Sequence, residues 1–366
     1  MAREYGKAGV DVDIESKGAR ILYEAAKQTF ENRKGILGEI IIPFDDFSGL
    51  RMVDVSKLPE GSFMCMGFDG VGTKVEIAHR MNKHDTIAFD LLAMVCDDAV
   101  VRGGEPVLVG SNLDVNTLGM DDSKLHIVKE LAQGYMNAAK EANVAIINGE
   151  LCQMGNSIKG HGNLVYHWNS ALIWFARKEK IFTGKEIKED DSIVVFEEKG
   201  FRSNGLSLVR KVFEDHFGEN WHNEELNGKK LGEHVLVPSK IYSKAVVDMH
   251  GSFDKEGTCK IHGVAHITGG GILEKVGRML RPSKLGVELT NLFPPCEAMQ
   301  YCQKLGNIDD KEAYKTWNMG NGMAIITPEP EKVIEEAKKF NINAKIAGKV
   351  IKENKIIIDE MVFENE

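Results

Sequence analysis

The chain has 366 residues, of which 43% are hydrophobic and 28% are charged. These are values of a globular protein with a sizeable core, and they exclude a disordered chain. The formal net charge is −9, which argues against a nucleic-acid-binding surface. No apolar run approaches the roughly 20 residues that span a bilayer, and the N-terminus lacks the apolar core of a signal peptide. We therefore expect a cytoplasmic protein with no membrane or nucleic-acid partner.

The predicted elements alternate between strands and helices up to about residue 177. The pattern predicts, in order, a helix over 16–32, a strand over 62–68, a helix over 86–102, a strand over 106–110, a helix over 121–142 and strands over 144–148 and 168–176. Charged residues at 177–180 mark the predicted boundary, so that residues 1–177 form one domain and 178–366 the other. The second domain is predicted to contain helices near 204–215 and 237–249, a glycine-rich turn at 268–271 and a helix-plus-strand unit from 329 onward.

The six cysteines give no sign of a metal site or a disulfide. None forms a Cys-x-x-Cys pair, and most lie inside apolar runs. We expect reduced, buried thiols. The pair His161 and His167 lies in what reads as an exposed loop, which disfavours a metal site there.

The most informative segment is 63–74, where a strand-like apolar run leads into a turn rich in polar groups. The turn carries Asp69, Gly70, Gly72, Thr73 and Lys74. Glycines let backbone N–H groups approach phosphate oxygens, a carboxylate can bind Mg²⁺, and an ammonium group neutralises phosphate charge. The ending of a Walker A loop is missing. From these residues alone, a phosphate or metal site and a plain turn with solvated charges are equally compatible with the segment.

Two further acidic signals lie downstream. The helix predicted over 86–102 carries Asp90, Asp97 and Asp98 beside apolar residues, where a carboxylate needs a cation or hydrogen-bond donors. For Asp90 and Asp97 a solvent-facing position fits as well, whereas Asp98 is interpreted as a metal ligand. Glu150 follows a predicted buried strand and is placed to face a cleft.

These carboxylates suggest one shared site. Asp69, Asp98 and Glu150 would together form an oxygen-rich site suited to Mg²⁺ that bridges nucleotide phosphates. Their convergence in space is a hypothesis, because the sequence does not fix how distant segments meet.

The second domain carries two candidate binding segments. Ser203-Asn204-Gly205 opens an amphipathic helix, whose free N–H groups suit an anion, although a simply capped helix accounts for these residues as well. His266 is followed by Thr268-Gly269-Gly270-Gly271, and consecutive glycines lose much backbone entropy on folding. We interpret that loss as a sign that a ligand approaches the backbone.

These blocks, in this order, resemble the aminoimidazole ribonucleotide synthetase (phosphoribosylformylglycinamidine cyclo-ligase) family. The likeness covers nearly the whole chain, at residues 5–11, 69–74, 85–87, 90–91, 93–94, 104–106, 149–150, 203–210, 262–271 and 320–323. It implies a two-domain PurM-like fold of class α/β and α+β. In that fold the N-terminal α/β domain forms a barrel across a homodimer, and the C-terminal α+β domain completes the active-site cleft.

The resemblance also implies a function. The enzyme would be an ATP-dependent ligase of purine biosynthesis that uses Mg²⁺ and ATP to convert formylglycinamidine ribonucleotide to aminoimidazole ribonucleotide, ADP and phosphate. The γ-phosphoryl group would activate the amide oxygen, and an internal amine would close the ring. Residues carried over as nucleotide-binding are Asp69, Gly70, Gly72, Thr73, Lys74, Asp98 and Glu150, with Asp69, Asp98 and Glu150 as metal ligands. Those carried over as catalytic are Lys74, His266 and Arg202. Those carried over as substrate-binding are Ser203, Asn204, Gly205, Thr268, Gly269 and Gly270.

The chain departs from the family pattern at several of these places. A family lysine is displaced at Gly6-Lys7, an asparagine becomes Asp97, a carboxylate is lost at Gln153, and a histidine becomes Arg202. We expect the Arg202 guanidinium to contact a substrate anion. The departures leave two alternatives open: a related ATP-dependent kinase or ligase with another small-molecule acceptor, such as a thiamine-phosphate kinase, or a non-catalytic nucleotide-binding dimer. Selenophosphate synthetase and the hydrogenase-maturation relatives are disfavoured, because the cysteines typical of them are missing.

Overall fold

The chain forms two compact units. The computed structural model describes residues 11–42, 50–56, 58–253 and 255–365. The first unit consists of the described residues up to Cys96 and of Pro106–Lys178, and the second consists of Asp97–Glu105 and the described residues from Glu179 onward. The departure at Gly6-Lys7, and the family-like segment around it up to residue 10, lie outside the described residues.

The first unit combines helices with a four-stranded sheet. Its helices are α1 (Val12–Gln28), α2 (Lys74–Met81), α3 (Ile87–Val100), whose last residues belong to the second unit, and α4 (Leu125–Ala142). Its strands are β1 (Ile40–Ile41), β2 (Met52–Val53), β3 (Ser62–Gly70), β4 (Glu105–Val115), β5 (Ala145–Gln153) and β6 (Tyr166–Arg177). Short 3₁₀ turns lie at Thr29–Arg33, Asp122–Lys124 and Gly155–Ser157.

The sheet of the first unit has the order β3-β6-β4-β5. β3 runs antiparallel to β6 and β4 runs parallel to β5. Helix α1 begins at Asp11, whose carboxylate accepts hydrogen bonds from two N–H groups of the first turn, and it packs against α4 and β5. Helix α4 ends where Asn143 adopts the left-handed conformation, as helices often do before a strand.

The second unit is built on a seven-stranded sheet with the order β10-β12-β7-β13-β11-β14-β15. All neighbours are antiparallel except β11 and β14. Its strands are β7 (Ser192–Glu197), β10 (Gly263–His266), β11 (Gly286–Leu289), β12 (Asn321–Thr327), β13 (Ala344–Ile351), β14 (Lys355–Ile358) and β15 (Met361–Glu364), with a separate hairpin of β8 (Glu225–Leu226) and β9 (Lys229–Lys230).

Helices cover this sheet and bury both of its faces. They are α5 (Leu206–Phe217), α6 (Leu231–Val235), α7 (Ser243–His250), α8 (Gly271–Leu280), α9 (Glu297–Leu305), α10 (Asp310–Thr316) and α11 (Pro330–Lys338), with 3₁₀ turns at Lys178–Lys180 and Trp221–Asn223. Successive side chains of a strand point to opposite faces. Ile193 and Val195 of β7 therefore join one hydrophobic core, and Val194 and Phe196 join the other.

Most predicted elements are confirmed, and the differences have local causes. The helix expected at 237–249 begins only at Ser243, and Pro238 disfavours helical geometry at Val237, where the helix was expected to begin. The strand expected at 106–110 extends to Val115, since it pairs with β5 along that length. No helix of the described part of the chain is long and apolar enough to cross a membrane.

Candidate functional site

A buried cluster of charged side chains lies in the second unit around Arg202, which is only 2% exposed. Its Nη1 donates to Oε2 of Glu198 at 2.7 Å and to the Lys240 carbonyl at 3.0 Å. Its Nη2 donates to Oδ2 of Asp97 at 2.9 Å and to Nε2 of His266 at 2.7 Å. The guanidinium is thus occupied by groups of the protein itself. The contact of Arg202 with a substrate anion stays a prediction. In this geometry the guanidinium presents no exposed pair of N–H groups to such an anion.

Asp97 belongs to the same buried cluster, although the sequence had also allowed a solvent-facing position for it. Asp97 is fully buried, and its Oδ1 accepts the N–H groups of Tyr242 and Ser243 at 2.9 and 2.8 Å, where α7 begins. Burial raises the pKa of Asp97 to about 7, while Arg202 and the two N–H groups stabilise its ionised form. Asp97 therefore joins the start of α7 to the Arg202 side chain.

His266 links this cluster to Asp98. Its Nδ1 lies 2.7 Å from Oδ1 of Asp98, whose side chain is 56% exposed. Burial, together with the neighbouring Arg202 charge, lowers the pKa of His266 to about 4. For Asp98, burial acts to raise the pKa, but the hydrogen bond from His266 and the positive charges of Lys275 and Arg202 act against it, and the net effect is a lowered pKa. Asp98 is thus an ionised, accessible carboxylate, held from one side by His266.

The two predicted substrate-binding segments lie side by side in the second unit. Ser203 and Asn204 precede α5, with Gly205 at its N-cap, and a Cβ atom placed on Gly269 would lie 3.1 Å from the Asn204 amide. The Ser203 hydroxyl is buried and has no hydrogen-bond partner among the described residues. A helix N-terminus with an unpaired hydroxyl beside it is a suitable place for an anion.

The glycines at 270 and 271 have a structural reason that the sequence did not reveal. Both adopt positive φ, +88° and +61°, which side chains rarely tolerate. A Cβ atom at Gly270 would collide with the Glu274 carboxylate, and one at Gly271 would collide with the Tyr314 carbonyl. These two glycines are required by the packing of the loop itself, whether or not a ligand approaches.

The predicted nucleotide turn lies at the end of β3. Gly72 has φ +65°, and both Gly72 and Thr73 are exposed just before α2. Asp69 is half-buried, and its Oδ1 accepts the N–H of Gly70 at 2.7 Å. It lines a hollow of about 580 Å³, which we call the Asp69 hollow, together with Ser111 and Ser170. The Ser170 hydroxyl is buried there without a hydrogen-bond partner among the described residues.

A second cavity of the first unit contains Glu150, and we call it the Glu150 cavity. Its volume is about 700 Å³, and its lining includes Ser111, Tyr135 and Trp168. Trp168 is buried, and its Nε1–H has no acceptor among the described residues. The cavity thus offers aromatic walls, an exposed carboxylate and an unused donor, which suits a small-molecule ligand of nucleotide size. Ser111 also lines the Asp69 hollow, so the two spaces are adjacent.

The predicted metal ligands Asp69 and Glu150 lie on different strands of the first unit. Asp69 lies on β3 and Glu150 on β5, the two edges of the four-stranded sheet. Three strand spacings of a flat sheet separate the two backbones by about 14 Å. Among the described residues there is no group of three or more His, Cys, Asp or Glu arranged for a metal ion. A metal role for Asp69, Asp98 or Glu150 stays a prediction for each residue by itself.

Lys74, predicted as a catalytic and phosphate-binding residue, lies in the interior. Its Nζ is 2.7 Å from Oδ1 of Asp90, and neither side chain is exposed. The ion pair with Lys74 also accounts for the buried position of Asp90, although the sequence had allowed a solvent-facing position as well. In this structure the ammonium group neutralises Asp90, so its predicted role at a phosphate stays a prediction.

Sequence reasoning missed two partners of the residues it singled out: Glu198, which contacts Arg202, and Glu15, which contacts Gln153. Glu198 was not singled out, because it lies four residues before Arg202 in a segment without helical structure, where that spacing predicts no pairing. Gln153, which replaces a family carboxylate, donates to Oε2 of Glu15 at 2.8 Å and accepts the N–H of Leu118 at 2.8 Å. A carboxylate at this position would repel Glu15, so the amide fits its local partners.

The comparison with known proteins gives the family. The profile of the AIR synthase related protein, N-terminal domain, matches residues 51–165, and that of the C-terminal domain matches residues 188–359. The phosphoribosylformylglycinamidine cyclo-ligases of Pyrococcus horikoshii and Methanocaldococcus jannaschii are each 33% identical to this chain over 95% of it, and over 95% and 92% of their own lengths. The chain belongs to the AIR synthase related family. The resemblance drawn from the sequence blocks is thereby confirmed.

Solved structures with the AIR synthase related fold agree with this assignment. A thiamine-monophosphate kinase from Stenotrophomonas maltophilia has a TM-score of 0.63 at 10% identity and covers 93% of this chain and 96% of its own. A hydrogenase maturation protein HypE in complex with ATP has a TM-score of 0.54 at 14% identity, with 84% of both chains covered. At such identities the likeness shows the fold alone. The predicted two-domain PurM-like fold is confirmed, while the barrel across a dimer stays a prediction.

Proposed function

We propose that this protein is an ATP-dependent phosphoribosylformylglycinamidine cyclo-ligase. The observation that carries the proposal is its likeness, over nearly the full length of both chains, to relatives that bear this name. The adjacent segments at Ser203 and Gly269 support it, because the reaction requires a site for a phosphorylated ribonucleotide. The reaction would convert formylglycinamidine ribonucleotide and ATP to aminoimidazole ribonucleotide, ADP and phosphate.

The chain's own residues have separate tasks in this proposal. The N-terminus of α5 and the Ser203 hydroxyl would bind the ribonucleotide phosphate, since free N–H groups and the helix dipole favour an anion. The loop at Thr268, Gly269 and Gly270 would form the neighbouring wall. Bound Mg²⁺–ATP would supply the phosphoryl group that turns the amide oxygen into a leaving group.

The nucleotide would use the first unit. The Glu150 cavity has the volume, the aromatic walls and the unused Trp168 donor that a nucleotide needs. Mg²⁺ binds through one or two carboxylates together with phosphate oxygens and water, so Asp69 and Glu150 could each serve a separate ion. The exposed turn at Gly72 and Thr73 would approach the phosphates.

We further propose a homodimer that forms through β3, and a cytoplasmic enzyme. β3 is an edge strand, yet its apolar side chains are exposed, with Met64 at 63% and Phe68 at 74%. Such an edge is an aggregation hazard unless a partner covers it. A second copy of the chain is the partner that the predicted barrel requires. The six free cysteines fit a reducing compartment.

The test is ADP release by the purified protein with Mg²⁺–ATP, with and without formylglycinamidine ribonucleotide. We expect release that depends on the ribonucleotide. Ser203→Ala should raise KM for the ribonucleotide, whereas the exposed Ser207→Ala, in the same helix, should leave it unchanged. Release that needs a different acceptor would point to another kinase or ligase of this fold, and nucleotide binding without turnover would point to a non-catalytic dimer.

A further inference from the structure

We propose that Arg202 is a positioning residue that acts through His266 on Asp98. Arg202 is only 2% exposed and is hydrogen-bonded on both terminal nitrogens by protein groups. One of those groups is the ring of His266, and the other side of the same ring faces Asp98. The three side chains therefore form a continuous chain of hydrogen bonds from a buried cation to an exposed carboxylate.

The direction of each hydrogen bond follows from the chemistry of the groups. A guanidinium group only donates, so Nε2 of His266 must accept from Arg202 and cannot carry a hydrogen. The ring proton then resides on Nδ1, 2.7 Å from Oδ1 of Asp98. A carboxylate accepts such a bond, so His266 donates to Asp98. Arg202 and Asp98 thus favour the same neutral tautomer of His266, with the proton on Nδ1.

The selected tautomer orients the carboxylate at the end of the chain. Asp98 is the only exposed member, and it lines a small cavity that also includes Lys275 and Arg278. With one oxygen held by His266, its other oxygen is presented to the cavity in a fixed direction. The inference rests on the proposed function insofar as Asp98 is taken to serve the proposed reaction. The orientation itself requires no assumption about activity.

The geometry calls for arginine in particular. Glu198, Asp97 and His266 surround the guanidinium in different directions, and a planar fork of donors reaches all of them at once. A lysine would place only one compact ammonium group there, in place of the planar set of donors that reaches all three partners. The two carboxylates fix Arg202 at 2.7 and 2.9 Å, and this fixed position is what allows it to hold the imidazole ring.

The first test is nitrogen-15 NMR of the histidine rings in the whole protein without nucleotide. We expect His266 to show a protonated Nδ1 and an unprotonated Nε2. In Asp98→Ala, where Arg202 alone faces the ring, His266 should keep this tautomer, because Nε2 still accepts from the guanidinium. His262 is the matched control: its Nδ1 lies 2.7 Å from Oδ2 of Asp191 and, among the described residues, no arginine hydrogen-bonds to its ring, so Asp191→Ala should give a mixture of tautomers. A protonated Nε2 in the wild-type protein would overturn the proposal.

The second test is a double-mutant cycle with His266→Asn, whose side-chain amide can still donate to Asp98 but offers Arg202 no ring nitrogen. Replacing a residue that orients a ligand typically costs about 10- to 100-fold in affinity or activity. We expect Arg202→Lys to lower kcat for ribonucleotide-dependent ADP release by such a factor in the wild-type background. In the His266→Asn background it should cost little more, because the path is already broken.

The two tests separate this proposal from the proposed function. Equal effects of Arg202→Lys in both backgrounds would show that Arg202 does not act through His266, and would overturn the inference. If Arg202→Lys fails to fold, the tautomer of His266 in Asp98→Ala still decides. Failure of ribonucleotide-dependent ADP release, with the expected tautomer present, would overturn the cyclo-ligase function and leave the positioning of Asp98 intact.

Discussion

Removing Lys74 should destabilise the first unit strongly. Lys74 and Asp90 form an ion pair at 2.7 Å with no exposure of either side chain. In Lys74→Met the Asp90 carboxylate would stay buried without its ammonium partner, and breaking a buried pair in this way costs about 3–5 kcal/mol. For a unit of this size, such a loss lowers the melting temperature by about 6–20 °C. Differential scanning calorimetry measures the shift.

Two further variants identify the cause of this shift. Lys83 pairs with Asp85 at 2.9 Å, but both side chains are about half exposed, so Lys83→Met should cost less than about 1 kcal/mol. The double variant Lys74→Met with Asp90→Leu removes both charges, so it should regain much of the stability that the single variant loses. A Lys74→Met protein that melts within about 2 °C of the wild type would refute the reasoning. So would a double variant no more stable than Lys74→Met.

Three other predictions concern the first unit. Asp69→Asn should weaken Mg²⁺–ATP binding in titration calorimetry, and unchanged affinity would remove Asp69 from the nucleotide site. Met64→Glu with Phe68→Glu should produce a folded monomer in analytical ultracentrifugation, because both side chains are exposed on β3; an unchanged dimer would contradict the proposed interface. Burial lowers the pKa of His79 to about 3 and that of His84 to about 4, from 6.5. The unfolded chain therefore binds protons first as the pH falls, and stability should be complete above pH 6.5 and decline towards pH 4. Equal urea midpoints at pH 7 and about pH 4.5 would contradict this.

Local sequence signals predicted the helices and strands well. The apolar run before Asp69 is a strand, and the stripe at Leu91 and Val95 is the buried face of a helix. Helix periodicity and turn residues are properties of short segments, so they can be read from the sequence alone. The family resemblance assigned Asn204 and Gly269 to the same substrate, and in the structure the two residues lie side by side.

Long-range partners could not be predicted, because their choice depends on packing. Arg202 was expected to bind a substrate anion, but it meets Asp97, which lies 105 positions earlier in the chain. Asp98 was grouped with Asp69 and Glu150 as a carboxylate, yet its hydrogen-bond partner is His266 in the second unit. No local pattern distinguishes a carboxylate that awaits a metal ion from one that a distant histidine holds.

The central claim is tested most directly by the stoichiometry of the proposed reaction. The protein would be incubated with Mg²⁺–ATP and formylglycinamidine ribonucleotide, and ADP and aminoimidazole ribonucleotide would be quantified in the same samples. A cyclo-ligase forms one aminoimidazole ribonucleotide for each ADP, and forms neither without the ribonucleotide. ADP formed at the same rate without the ribonucleotide, or ribonucleotide consumed without ring closure, would contradict the proposed function.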